Sequence, residues 1–353
     1  MAASSALKRL MNPLIDPAAF DFWAGKVSPL LSWERPLARI VAREVSARDT
    51  VTLVLKPNRH VAPVMPGQHL PVTVEVNGVR LTRQYSPTQT GGRLAITVKR
   101  VPGGAVSTYL NRDARVGDVL ELGTPFGAMR DDPSVPGWLF AAAGSGITPL
   151  MSLLRAQAAR GRVRTTLMYW ARTRADLCFL PELQQMARDW PGLTLIPVLT
   201  READLVPGED RGRPDSDLLA RHVPDLATRQ VYACGPAGFV GQLERLTADT
   251  AAGFLGEAFT PPERALVAGA PVQVTLARSG RVLEIPAGEA LLPALEARGE
   301  SPAFGCRMGV CHTCACQRLD GTSEDLLNGR QHSEPGMLRL CVSAARSHLT
   351  LDL

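Results

Sequence analysis

The sequence predicts a multidomain protein: an antiparallel β-barrel, then an α/β doubly wound domain, then a small α+β domain of β-grasp type. Three observations predict this order. Residues 35–131 read as short alternating strands punctuated by Gly and Pro turns. Residues 132–260 alternate buried strands with helical segments, the pattern of a parallel sheet. Residues 271–353 place a hairpin and a helix ahead of a tight group of cysteines. A length of 353 residues suits two or three cores.

The elements follow in order. Residues 1–34 form an extension carrying Phe20, Phe22, Trp23 and Trp33. Its aromatics are expected to pack on their own domain, with a partner or membrane-surface contact as the alternative. The barrel strands are read over Ala38–Val45, Thr50–Lys56, His69–Val76, Arg80–Ser86 and Leu94–Val98. Asn77-Gly78 and Pro102-Gly103-Gly104 are among the turns between them. Trp138–Ala142, Thr165–Trp170, Leu193–Leu199 and Gln230–Cys234 read as the parallel strands. Helices are read over Thr148–Arg160, Pro181–Trp190, Ser216–His222 and from about Pro236. Phe254–Gly269, with Pro261-Pro262, reads as a linker, and residues 261–270 are assigned to it outright. Val272–Leu276 and Arg281–Ile285 form the hairpin, Leu291–Arg298 the helix and His348–Leu353 the final strand.

Composition limits the function classes. A hydrophobic fraction of 45% with 21% charged residues is that of a globular protein. Stretches such as Trp138–Ala143 are too short to span a bilayer, so no transmembrane segment is expected. The first residues lack the apolar run of a signal peptide, and a cytoplasmic protein is expected. The net charge is +5, yet the arginines are scattered, which argues against a nucleic-acid partner. Residues 271–353 hold 8 Arg against 9 acidic residues, so about +6 falls on the rest. A basic body suits phosphorylated ligands; a solvated surface is the plainer reading.

Five of seven cysteines fall between Cys306 and Cys341. Cys306, Cys311 and Cys314 have the spacing C-x4-C-x2-C, and 26 residues separate Cys314 from Cys341. This spacing matches the four thiolate ligands of a plant-type [2Fe–2S] cluster. Zinc sites more often present two close pairs, which leaves a four-cysteine zinc site as the alternative. Cys316 is read as a non-ligand. The loop Gly305-Cys306-Arg307-Met308-Gly309-Val310-Cys311-His312-Thr313-Cys314 resembles that of plant-type ferredoxin domains, and Leu340-Cys341-Val342 resembles the segment supplying their last ligand.

Arg83-Gln84-Tyr85-Ser86 resembles the R-x-Y-S flavin motif of the ferredoxin–NADP reductase family. The resemblance implies Tyr85 against the isoalloxazine, Arg83 on the pyrophosphate and Ser86 near flavin N5. An aromatic face stacks on a flat ring, a guanidinium matches phosphate oxygens, and a hydroxyl can tune a redox nitrogen. Val98, Lys99, Gly104, Ser107 and Thr108 lie where the family holds the flavin pyrophosphate. The motifs suit FAD and FMN alike; the domain order implies FAD.

Gly144-Ser145-Gly146-Ile147-Thr148-Pro149 follows a buried strand and resembles the family's G-x-G-I-T-P turn. Thr148 suits a helix N-cap and Pro149 its first position, so the turn can receive a phosphate. Cys234-Gly235-Pro236 resembles the C-G-P motif beside the nicotinamide ring, with a small buried thiol as the plain alternative. Tyr85, Ser86 and Cys234 are thus expected at the reacting rings. Arg172 and Arg174 end a strand where relatives bind the adenosine ribose and point to NADPH, with NADH as the alternative. Glu257-Ala258-Phe259 resembles the terminal E-x-F, which places Phe259 near the flavin.

The resemblance covers roughly residues 35–353. It implies an NAD(P)H-dependent oxidoreductase that passes electrons through FAD and a [2Fe–2S] cluster to an oxygen-activating iron enzyme. The expected partner is a membrane fatty acyl desaturase. The alternative is an aromatic-ring or alkane hydroxylase, and from another class a redox-sensing binding protein without turnover.

Overall fold

The computed structural model describes residues 16–161, 163–259, 270–305, 307, 309, 312–327 and 329–353. They form two compact units: Ile147–Arg211 joins the chain up to Ser134, and Val135–Gly146 joins Gly212–Leu353. The segment 132–260, read as one domain, contributes to both.

The first unit opens with helix α1 (Pro17–Val27), where the sequence reading had only an extension. Asp16 caps it by accepting from the Ala18 amide at 3.0 Å, and proline at its start needs no amide partner. Phe20 packs edge-on against Trp33 at 5.2 Å, and Trp33 is buried. Phe22 and Trp23 meet edge-on at 5.2 Å but stay exposed, so burial holds for one aromatic pair and not for the other.

Seven antiparallel strands follow: β1 (Leu37–Ala47), β2 (Thr50–Pro57), β3 (Leu70–Val76), β4 (Val79–Tyr85), β5 (Thr88–Thr90), β6 (Arg93–Lys99) and β7 (Val119–Leu122). Their order is β4-β3-β7-β1-β2-β6-β5. Two register shifts in β1 help the sheet curl around one core that includes Ile40, Leu53, Val72 and Ile96. Asn77 and Gly78, at φ 51° and 76°, make the tight β3–β4 turn. A short helix α2 (Ala105–Thr108) lies against β3 and β4.

In parallel strands β8 (Gly137–Ala143), β9 (Arg164–Ala171), β10 (Leu193–Leu199), β11 (Asp210–Arg211), β12 (Gln230–Gly235) and β13 (Gly253–Ala258), the α/β expectation is met. Within the first unit the order is β9-β10-β11, with helices α3 (Ile147–Arg160) and α4 (Leu180–Asp189). Within the second it is β8-β12-β13, with α5 (Ser216–His222) and α6 (Ala237–Thr247). Strand β13 corrects the linker reading over Phe254–Ala258: those residues pair in register with Val231–Gly235. The rest of that linker, 260–269, lies outside the described residues. Helix α3 starts at Ile147 after a 3-10 turn at Gly144–Gly146, so Thr148 and Pro149 lie inside the first turn, not at the cap and first position.

The second unit also holds a mixed sheet of β14 (Val272–Leu276), β15 (Val282–Ile285), β16 (Ala315–Asp320), β19 (Gly336–Arg339) and β21 (Leu349–Leu351), ordered β15-β14-β21-β16-β19. A smaller sheet joins β17 (Ser323–Asp325), β18 (Gln331–His332) and β20 (Ser343–Ala345). Helix α7 (Leu291–Glu296) buries Leu291, Leu292 and Leu295 in a core shared with Cys314, Cys316 and Cys341. Each buried leucine contributes about 1.5–3 kcal/mol. Sheet plus helix bear out the β-grasp expectation.

Candidate functional site

Strand β4 ends in the R-x-Y-S residues. Residues two apart share a face of a strand, so Arg83 and Tyr85 point the same way. Arg83 is exposed and donates to the Thr82 carbonyl at 2.7 Å. Burial pushes the Tyr85 phenol well above its ordinary value, and the Arg83 charge opposes the shift. Ser86 is buried.

Helix α2 brings the segment read from sequence as the second flavin contact beside this strand. Ser107 Oγ accepts from the Val101 amide at 3.1 Å and donates to the Gly104 carbonyl at 3.2 Å, closing the loop. A Cβ on Gly104 would sit 2.6 Å from that Oγ, so the loop requires glycine. Thr108 follows in the helix, its amide donating to Gly104. Two expected ligands are placed differently. Val98 is fully buried in the barrel core, which leaves only its backbone for a cofactor, and its carbonyl already accepts from Asn111. Lys99 lies 3.5 Å from the buried Asp176 carboxylate.

In the second unit, β8 and β12 pair in parallel with Ala142 opposite Cys234. The two turns read from sequence as nicotinamide-binding therefore leave adjacent carboxyl ends, where α/β folds bind ligands. Gly144 has φ 56°, in the left-handed region. A Cβ on Gly146 would stand 2.0 Å from the Cys234 carbonyl oxygen, and one on Gly235 would stand 2.8 Å from the Ala143 Cβ. Gly146 and Gly235 thus let the two turns pack closely on each other, and of the three glycines only Gly144 has an open Cβ position. Cys234 is fully buried opposite Glu257 of β13; burial, then the Glu257 charge, pushes its thiol well up. Burial alone pushes Glu257 up to about 8. The Phe259 amide donates to the Gly235 carbonyl at 2.8 Å, so the E-x-F segment is tied to the C-G-P segment.

The two arginines after β9 differ. Arg172 is exposed. Arg174 is engaged: its guanidinium forks onto Glu209, at 2.6 and 2.7 Å, and its amide donates to Glu202 at 2.7 Å. Glu202 and Glu209 lie 28 and 35 residues away in sequence, and no local motif announces them. The only sequence signal is the acidic group Glu202, Asp204 and Glu209 after β10.

Cys314 and Cys341 are buried with sulfurs 3.2 Å apart, well beyond a disulfide's ~2.05 Å. The Leu340 amide donates to the Cys314 carbonyl and holds the two segments together. Cys306 and Cys311 lie outside the described residues. Arg307, Gly309 and His312 have φ of 58°, 76° and 57°, each in the left-handed region. Arg339 donates to the Gly309 carbonyl at 2.5 Å and to Asp325 at 2.7 Å. Cys316 Sγ donates to the Gln317 and Asp352 carbonyls, at 3.6 and 3.8 Å, within the same core as Cys314 and Cys341. Two adjacent buried thiols fit part of an iron–sulfur donor set.

Three family models match in order: an oxidoreductase FAD-binding domain over 38–130, an oxidoreductase NAD-binding domain over 140–245 and a 2Fe-2S iron-sulfur cluster binding domain over 274–346. An NADPH oxidoreductase of Mycobacterium tuberculosis is 33% identical over 359 residues, spanning 99% of this chain and 92% of that protein. The chain belongs to the ferredoxin–NADP reductase family, with a C-terminal [2Fe–2S] ferredoxin domain. It is an NAD(P)H oxidoreductase whose cofactors are FAD and a [2Fe–2S] cluster. The phenoxybenzoate dioxygenase subunit beta of Ectopseudomonas oleovorans is 33% identical over 330 residues, spanning 89% of this reductase and 96% of that subunit. The solved phthalate dioxygenase reductase, a modular structure for electron transfer from pyridine nucleotides to [2Fe–2S], is 26% identical with a TM-score of 0.58. It covers 90% of this reductase and 97% of its own chain. No helix among the described residues is long and apolar enough to cross a membrane.

Proposed function

We propose that this reductase is the electron-supplying component of an oxygenase system, taking electrons from NADPH and delivering them to an oxygen-activating iron protein. The observation that carries the reading is the paired thiols Cys314 and Cys341 in a domain appended to a flavin and nicotinamide module. FAD held there would supply the conversion of a two-electron hydride donor into single electrons, which the cluster would carry one at a time. In this reading the residues bind and orient. Tyr85 offers its ring to the isoalloxazine, Ser86 a hydroxyl to its edge, and Arg83 a charge to the pyrophosphate. Gly104, Ser107 and Thr108 form the loop and helix start beside it. Gly144 lets the dinucleotide approach backbone, Gly146 and Gly235 let the two turns pack together, and Cys234 keeps a small neutral group next to the nicotinamide. Arg172 faces the ribose end and supports NADPH. Cys306, Cys311, Cys314 and Cys341 hold the iron.

The partner is argued from relatives. A dioxygenase subunit and a dioxygenase reductase, each matched over nearly its whole length, favour a hydroxylating oxygenase over the acyl desaturase expected from sequence. The test is reconstitution. Reductase, NADPH and the host's ring-hydroxylating oxygenase should give hydroxylated product that depends on the reductase. Product only with stearoyl-CoA and desaturase-containing membranes would restore the desaturase. Failure of NADPH and NADH alike to bleach the flavin and cluster colour would sink the reductase reading.

A further inference from the structure

We propose that Glu209 sets nucleotide selectivity by engaging the Arg174 guanidinium, so that a 2′-phosphate is read by Arg172 and Arg201 and not by Arg174. This rests on the reading above, in which the carboxyl end of β9 meets the adenosine ribose. Arg174 Nε and Nη2 meet both Glu209 oxygens at 2.6 and 2.7 Å, and Nη2 also donates to the Asp204 carbonyl at 3.0 Å. Such a bidentate pair satisfies the planar fork that a phosphate would need. The Glu209 side chain is only 5% exposed and also accepts from the Val206 amide at 3.0 Å. Each partner supports the other's charge: Glu209 raises the Arg174 value, and Arg174 lowers that of Glu209. A phosphate drawing Arg174 away would cost the carboxylate of Glu209, a half-buried residue, its counter-charge and two charge-assisted hydrogen bonds.

Arg172 and Arg201 have no such engagement. Both are exposed, at the carboxyl ends of neighbouring parallel strands β9 and β10. The Arg201 amide donates to the Arg172 carbonyl at 2.8 Å, which holds the two residues side by side. Among the described residues neither guanidinium makes a hydrogen bond or ion pair. Two unneutralised arginines next to a neutralised one make the first two the phosphate readers.

The test is kcat/KM for NADPH and for NADH on the holoenzyme, with ferricyanide as acceptor. Arg172→Ala and Arg201→Ala should each lower the NADPH:NADH ratio about tenfold, the effect of one charge-assisted hydrogen bond, with NADH unchanged. Glu209→Gln offers one acceptor in place of two and restores a net charge on Arg174. It should raise the ratio about tenfold. The double variant R174M/E209L, which leaves neither charge unpaired, should keep the ratio within about twofold of the parent. A ratio that falls in the double variant as far as in Arg172→Ala would overturn the proposal, and this outcome holds even where Glu209→Gln does not fold. An unchanged ratio in Glu209→Gln with normal flavin content and melting would overturn it too. A ratio that no variant moves would instead remove the assignment of this strand end to the ribose.

Discussion

Cys234 and Cys314 are both buried thiols, and they serve opposite kinds of site. Cys234 is fully buried, and what its site uses is backbone: the Cys234 carbonyl is the wall against which Gly146 must lack a side chain. Burial pushes its thiol up, and in the proposed reading that thiol is a small neutral spacer. Cys314 lies within 3.2 Å of Cys341, and there the sulfurs themselves are the site. In the proposed reading the nicotinamide region gets its chemistry from shape, and the ferredoxin region from ligand atoms. The two should therefore fail independently when mutated.

The largest effect is expected at the ligands. Cys341→Ser should remove the cluster's visible absorbance and cut reduction of a one-electron protein acceptor by more than about 100-fold. NADPH-driven ferricyanide reduction, which needs only the flavin, should persist. Loss of both activities would show that the two regions are coupled in folding. Next comes the glycine. Gly146→Ala forces a Cβ to within 2.0 Å of a carbonyl oxygen, and backbone must move. We expect a loss of roughly 100-fold in kcat/KM for NADPH and NADH alike, because misplacing bound reactants by about an ångström costs that much. Destabilisation should be about 1–3 kcal/mol. The cluster spectrum should be unaffected. A Gly146→Ala enzyme with normal nucleotide kinetics would break the claim that shape makes this site.

What the sequence made legible follows the same division. The Gly144–Pro149 and Cys234–Pro236 turns were readable because the need for glycine is local and each turn follows a strand of buried residues. The thiol spacing was readable because a cluster dictates it. Long barrel strands and parallel strands appeared within a residue or two of their bounds. The three-residue β5 and four-residue β7 were missed, since so short a run carries no period. Strand β13 was read as linker because Phe254–Ala258 shows no alternation and a Pro-Pro pair follows closely; its parallel partner β12 decides its state. Arg174 was read as a phosphate ligand because its neutraliser, Glu209, lies 35 residues away and meets it only through the fold.

The smallest effect sharpens the comparison from beneath Cys234. Burial raises Glu257 from 4.5 to about 8, so the folded chain keeps a proton that the unfolded chain releases above 4.5. Stability from this group is therefore full below about 4.5 and is lost as pH rises through about 8. Asp176 has the opposite sign. Burial would raise it, but hydrogen bonds from Thr173 and the Lys99 charge outweigh that and lower it. Its stabilisation is present above its ordinary 3.8 and is lost only as pH falls below that, outside the window of Glu257. Glu257→Gln cannot ionise, so its melting temperature should drop by a few degrees less than the parent's between pH 5 and pH 8. Asp176→Asn should leave that slope unchanged. Equal slopes in parent and Glu257→Gln would mean that the carboxyl beside Cys234 is already ionised at pH 5. The thiol would then face a negative charge throughout, and the neutral, shape-defined site drawn here would have to be redrawn as a charged one.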